Sequence, residues 1–437
     1  MAGLPARRAA LKALERVRGG EPLDAALDRV LGPLPEGDRR LAYEIAAGVL
    51  RSRTVLDERL APLVPRGWDG VAAPLQDVLR IGAYQLTALD RVPAHAAVST
   101  SVALAREAGG ARAGGFVNAV LRRVAAPADR TGGTGGTGGL REGDDAAGLA
   151  RRYSHPEWLV RRWVERFGAE GAKALLERNN TRPELVLQPA RAPLHELRKR
   201  WEAAGVVARP APFGAGLLTD RSRPGDLPGF AEGDFVVQDP AQALVAWFAD
   251  LPPETVVYDA CAAPGGKAIA IGRAARGVVA ADVSRSRARR LLENVRRAGS
   301  GREHVVVADA RHPPIRGAAA VLVDAPCLGT GTFARHPDAR WRVTPEALAR
   351  LAAQQAQLLD AAADAVGPGG LLVYATCSLE PEENELQVDR FLARHPGFTR
   401  EPADGFPAAL LSPRGDLMML PHRHGTDGGF AARLRRA

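Results

Sequence analysis

The 437-residue chain has three cysteines, Cys261, Cys327 and Cys377. A cysteine acts as a nucleophile through its thiolate, which a nearby cation or a helix N-terminus favours. Cys261 lies in DACAAPGGKA (259–268), Cys327 in VDAPCLGTGTFARHPDARWR (323–342) and Cys377 in YATCSLEPEEN (374–384). The three are 50 or more residues apart, so no zinc-binding spacing is present and no metal site is expected. Three cysteines also cannot build a disulfide framework, which agrees with a reducing compartment.

Carboxylates take similar places. Four apolar runs end in Asp259, Asp282, Asp309 and Asp324, and a fifth ends at Cys377. Gly265-Gly266 lets the backbone come close to a ligand and opens a helix whose N–H groups face it. The loop is neither a GxGxxG nor a Walker A pattern. An acid about twenty residues further on is the usual partner of a ribose diol, and Asp282 stands 23 residues after Asp259. Asp309 then falls where an adenine would lie. Together these residues predict a nucleoside site. Asp324, Pro326 and Cys327 suit a base that is both held and attacked. Lys267 and a helix start near Pro381 are available to activate a thiolate at Cys377. From the residues alone, either Cys327 or Cys377 can be the nucleophile.

The runs that must position these groups are TVVYD (255–259), VVAAD (278–282), HVVVAD (304–309), AAVLVD (319–324) and GLLVYAT (370–376). Continuous apolar runs of this kind indicate a parallel sheet covered on both faces. Helical stretches near 264–275, 284–298 and 344–366 alternate with them. The pattern is a doubly wound α/β domain over 237–437, whose ligands bind at the carboxyl ends of the strands. Upstream, residues 1–126 repeat apolar positions at three and four and predict an all-α bundle of five to seven short helices. Residues 127–148 are a Gly/Thr-rich stretch that predicts a flexible linker. Residues 149–236 mix helices and strands, a small α+β domain. In it arginines interleave with Trp158, Trp163, Phe167 and Trp201. The spacing favours a core role for the tryptophans over an RNA-stacking platform.

The formal net charge is +9, with a sequence pI of about 10, a sign that suits a polyanionic partner. No apolar run approaches the roughly 20 residues of a membrane span, and the N-terminus breaks into a helical pattern without a signal-peptide core. These features predict a cytoplasmic protein. Of 59 basic residues only Lys12, Lys173, Lys199 and Lys267 are lysines.

CAAPGGK, DAPC followed by GTGTFARHPDARW, and ATCSLEPEENE together resemble the NOL/NOP/Sun family of S-adenosylmethionine-dependent RNA cytosine methyltransferases. RRAALKALERV, AYEIAAGVLR, DVLRIGAYQLTALDRVPAHAAVSTSVALAR and FVNAVLRR resemble a NusB-type RNA-binding domain. That layout is the bacterial RsmB/Sun/Fmu type, which acts on 16S ribosomal RNA. The resemblance covers nearly all the chain except the linker. It implies a Rossmann-like class I methyltransferase domain and S-adenosylmethionine in the loop of Cys261, Ala262, Ala263, Pro264, Gly265, Gly266 and Lys267. It places the ribose on Asp282 with Arg287 nearby, the adenine on Asp309, and both cofactor and cytosine on Asp324. Cys377 is then the nucleophile, Cys327 assists product release, and Lys267 orients Asp324. It further implies a monomer acting on naked or early-assembly 16S RNA. Two positions depart from the family pattern and bear on substrate contacts. Leu328 follows Cys327 where many relatives have Ser, and Phe430 stands alone where relatives often have two aromatics.

Overall fold

A computed structural model describes residues 3–126, 145–220 and 223–437. Most of the segment read as a linker, 127–144, lies outside the described residues. Its last residues are not linker: Asp145 caps a helix that starts at Ala146, its carboxylate accepting from Gly148 N at 2.7 Å. An N-cap carboxylate satisfies an otherwise orphaned backbone donor, which fixes where the helix starts. The chain forms two compact units, Met1–Thr181 with Phe333–Arg342, and Arg182–Thr332 with Val343–Ala437.

The first unit is helical, as the period of its apolar residues requires. It contains α1 (Leu4–Arg18), α2 (Leu23–Leu31), α3 (Glu36–Arg51), α4 (Arg53–Leu60), α5 (Ala73–Ala88), α6 (Ala94–Ala125), α7 (Ala146–Tyr153) and α8 (Glu157–Asn179). Ile45, Val49, Leu79, Val117 and Leu121 form the centre of the core. The bundle packs tightly where α3 meets α5: a Cβ on Gly48 would fall 2.0 Å from the ring of Tyr84. α6 is longer than the short helices expected, but Gly109 and Gly110 leave helical geometry and bend it. Trp163 is buried, 1% exposed, and so belongs to the core.

Residues 333–342 reach this unit from a distant part of the chain. Arg340 is fully buried there. It donates to Asn180 Oδ1 at 2.7 Å, Asn179 O at 3.0 Å, and Ser154 O and Phe333 O at 3.3 Å. Trp341 Nε1 donates to Leu50 O at 2.8 Å, and Leu23 N donates to Asp338 at 3.2 Å. Burial lowers the Arg340 guanidinium to about 9, with Arg51 adding to the effect.

The second unit has two sheets. The smaller holds β1 (Leu185–Pro189), β2 (Ala208–Pro210), β3 (Leu217–Thr219) and β4 (Phe235–Val237) in antiparallel order β2-β3-β1-β4, with α9 (Leu194–Ala203) packed on β1 and β2. Trp201, 0% exposed, anchors this layer. Its ring meets Phe235 edge-on at 5.3 Å and its indole N–H donates to Pro228 O at 2.9 Å.

After α10 (Pro240–Ala249) comes the large sheet. Its parallel strands are β5 (Val256–Asp259), β6 (Gly277–Asp282), β7 (Glu303–Val307), β8 (Ala318–Asp324) and β9 (Val366–Thr376). The helices α11 (Gly266–Gly272), α12 (Arg285–Ala298) and α13 (Pro345–Ala365) alternate with them, and α14 (Glu385–Arg394) follows. The spatial order is β7-β6-β5-β8-β9. The chain therefore runs outward from β5 on one side, returns, and runs outward on the other. The crevice between β5 and β8 is a topological switch point. The sheet is mixed rather than purely parallel. β12 (Gly429–Arg436) pairs antiparallel with β9 and carries β10 (Phe398–Arg400) and β11 (Leu417–Met419). Phe430 is fully buried in β12, 6.5 Å from Tyr374, and belongs to the core.

Candidate active site

The predicted residues gather at the carboxyl ends of the five parallel strands. Asp259 ends β5, Asp282 ends β6 and Asp324 ends β8, while Cys377 follows β9 directly. In register Asp324 lies opposite Ala375, and Ala325 N donates to Ala375 O at 2.8 Å. Parallel pairing thus brings the loop carrying Cys327 beside the turn carrying Cys377. Asp309 departs from the expectation, because β7 stops at Val307. Asp309 instead holds a turn: it accepts from Arg311 N at 3.0 Å and from the Arg311 guanidinium at 2.6 Å, which holds its carboxyl down to about 2.

Between β5 and α11 the loop 261–266 turns through Gly265, whose φ of 114 strongly favours glycine. A Cβ on Gly266 would meet the side chain of Gln238 at 2.8 Å. Asn294 Nδ2 donates to Pro264 O at 2.8 Å and fixes the loop against α12. Asp282 accepts from Ser284 N at 2.9 Å and pairs with Arg287 at 3.0 Å, so the two residues expected beside a ribose are already together. Cys261 is half-buried. Burial first, then Asp259, Asp324 and Asp282, push its thiol up to about 12, which suits a structural cysteine.

Asp259 is 1% exposed, and neither of its carboxylate oxygens has a hydrogen-bond partner of ordinary geometry among the described residues. Burial, with Asp324 next, raises it to about 7 against the pull of Lys267. Orphaned acceptors at a switch point suit a cationic, hydroxyl-bearing ligand. S-adenosylmethionine offers a sulfonium, an ammonium and a ribose diol, and the residues present fit it.

Lys267 Nζ donates to Asp324 Oδ2 at 2.7 Å and also to Gln242. The lysine is therefore committed to a carboxylate, not to a thiolate as the sequence suggested. Gln242, on α10, was missed; no local pattern distinguishes it from an ordinary helix-face residue. Cys327 Sγ lies 3.3 Å from Cys377 Sγ and 3.4 Å from Cys377 N. The Cys377 partner, burial and the charge of Glu383 push the Cys327 thiol well up. The helix expected at Pro381 is a single 3-10 turn, Pro381–Glu383; α14 begins at Glu385. That turn aims Glu383 inward, where it is fully buried and raised to about 7, chiefly by burial. Its carboxylate accepts from Leu328 N at 3.0 Å and from Gln355 Nε2 at 3.0 Å. Leu328, the departure after Cys327, is thus held through its backbone while its side chain is buried. Among the described residues no cluster of three metal-ligating side chains occurs, and no helix is long and apolar enough to cross a membrane.

Residues 246–435 match the family described as 16S rRNA methyltransferase RsmB/F. Residues 4–126 match the NusB family, and 155–222 match the ferredoxin-like domain of RsmF/B-like methyltransferases. A protein of Thermus thermophilus named ribosomal RNA small subunit methyltransferase B is 36% identical, with 100% of this chain and 98% of that one covered. The chain belongs to the RsmB/F methyltransferase family. A Synechocystis relative named probable ribosomal RNA small subunit methyltransferase B is 34% identical over 95% of both chains. The crystal structure of PH0851 shares the fold with a TM-score of 0.81 at 24% identity, covering 100% of this chain and 99% of that one. The protein is thus an rRNA methyltransferase with S-adenosylmethionine as its cofactor.

Proposed function

We propose that this enzyme methylates carbon 5 of a cytosine in 16S ribosomal RNA through a covalent bond between Cys377 and carbon 6. The observation that carries the reading is the sulfur pair, 3.3 Å apart beyond the ends of two neighbouring strands, with the Asp324–Lys267 pair at the end of one of them. Carbon 5 of cytosine is a weak nucleophile. A thiolate bonded to carbon 6 turns the ring into an enamine, which accepts a methyl group. S-adenosylmethionine, when bound, supplies that methyl group.

The resemblance to the NOL/NOP/Sun family assigns the attack to Cys377 and product release to Cys327. The Cys377 partner, burial and the Glu383 charge all oppose a thiolate at Cys327, which agrees with that assignment. Asp324, oriented by Lys267, shares a proton with ring nitrogen 3 and so stabilises the adduct. The proton on carbon 5 then leaves to a base in the neighbourhood of Cys327. The electron pair of that C–H bond re-forms the ring double bond as the sulfur–carbon 6 bond breaks. The target base is unstacked or already in a loop. Cys261, Ala262, Ala263, Pro264, Gly265, Gly266 and Lys267 cradle the cofactor, Asp282 and Arg287 its ribose, and Asp309 its adenine, with Asp324 reaching both ligands. The NusB-like helices bind the RNA, and we take the enzyme to be a cytoplasmic monomer acting on naked or early-assembly RNA.

Replacing each cysteine separately tests this. Cys377→Ala should abolish methylation. Cys327→Ala should leave a protein–RNA complex that survives denaturation. Turnover by Cys377→Ala would refute the assignment. Bisulfite sequencing of ribosomal RNA from cells lacking the gene tests the substrate; an unchanged 16S pattern would rule it out.

A further inference from the structure

The buried carboxylate of Glu383 takes no direct step in the chemistry above. It comes from the turn after Cys377 and reaches the loop after Cys327. There it accepts from Leu328 N at 3.0 Å through Oε1 and 3.3 Å through Oε2. On the other side of Cys327, Pro326 O accepts from Gln355 Nε2 at 2.9 Å, and the same Gln355 nitrogen donates to Glu383 at 3.0 Å. Both side chains are fully buried. The turn itself is tied to β9, because Tyr374 OH donates to Glu383 O at 2.6 Å. One connected set of bonds therefore grips the main chain immediately before and after Cys327. It anchors that grip to the strand that carries Cys377.

We propose that Glu383 is a positioning residue. With Gln355 it clamps the backbone on both sides of Cys327 and holds that sulfur against Cys377 for the release of the product. The inference rests on the release role of Cys327 given above. A single oxygen, Oε1, accepts from both Leu328 N and Gln355 Nε2 at 3.0 Å, so one short buried arm grips the two together.

The test uses the full-length protein with S-adenosylmethionine and a 16S RNA transcript. It follows the methyl formed per enzyme and the covalent complex that survives a denaturing gel. Cys327→Ala is run beside Glu383→Ala, Glu383→Gln and Gln355→Leu. Glu383→Ala should form methyl in its first turnover, then accumulate trapped complex, with steady-state turnover falling at least about tenfold. Glu383→Gln should restore turnover, because its carbonyl still accepts from Leu328 N and its amide can donate to Gln355 Oε1, which has no partner now. Gln355→Leu, which removes the other half of the clamp, should trap complex as well and decides the matter if Glu383→Ala fails to fold. Trapping by Cys327→Ala without trapping by Glu383→Ala or Gln355→Leu overturns the positioning role alone. Parallel loss of first-turnover methylation and of complex in Glu383→Ala, unrescued by Gln, also overturns it. Absence of trapping in Cys327→Ala overturns the reading on which the inference stands.

Discussion

Asp259 makes the stability of the methyltransferase unit depend on pH in a direction opposite to the usual carboxylate. Its folded-state value is about 7 against an ordinary 3.8, with burial the main cause and the Asp324 and Asp282 charges adding to it. The folded state binds the proton more tightly than the unfolded one. The stability this contributes is complete below pH 3.8 and is lost as pH rises towards 7. Each pH unit in that window is worth about 1.4 kcal/mol, so moving from pH 5 to pH 8 removes roughly 3 kcal/mol. Asp259→Asn abolishes this dependence. Glu383, also raised to about 7, contributes a slope of the same sign, but it is common to both proteins and cancels in the difference. The assay is amide hydrogen exchange in β5 and β8 of the full-length protein without cofactor. Opening free energies are compared between Asp259→Asn and the natural chain at pH 5 and pH 8. The variant should gain about 3 kcal/mol on the natural protein between the two conditions. A difference that stays the same at both pH values refutes the argument.

Lys267→Met should lower single-turnover methylation by at least about 100-fold by freeing Asp324 from its 2.7 Å partner, as read by quenched-flow methyl transfer. Arg340→Ala removes a fully buried cation and strips Asn180 and three backbone carbonyls of their donor. It should cost the helical unit about 3–5 kcal/mol, seen as faster exchange in α7 and α8. Trp201→Ala empties the centre of the small sheet and should cost about 3–5 kcal/mol, measured by calorimetry.

The parts of the site that could be read in the sequence are those written in local pattern. Continuous apolar runs gave away β5, β6, β8 and β9, and the residues at their ends carry Asp259, Asp282, Asp324 and Cys377. Asp309 was read as a strand end, although β7 stops at Val307, because an aspartate that forms a turn just past a strand has the same local signature. β12 was hidden for a different reason. Its arginines suggest an exposed basic tail, yet Arg433 is 6% exposed. It is neutralised by Glu401 and donates to Ala249 O at 2.7 Å, so the strand can sit inside the sheet. Gln242, Gln355 and Glu383 act through partners 25 or more residues away, and no spacing rule encodes such contacts. The inward turn of Glu383 had a faint signal: the PEEN stretch follows the cysteine closely, and one of its acids had to face somewhere.

The route of residues 333–342 limits how this protein can be taken apart or rebuilt. The backbone passes between the two compact units at 181/182, 332/333 and 342/343. A cut at 182 would therefore release a catalytic fragment carrying Arg340, Phe333 and Trp341 stripped of the surroundings that bury or bond them. The helical unit left behind would have vacant acceptors at Asn180 and Leu50. Grafting this helical unit onto another methyltransferase would need two segments exchanged together, residues 1–181 and the ten-residue insert from the far side of the sequence.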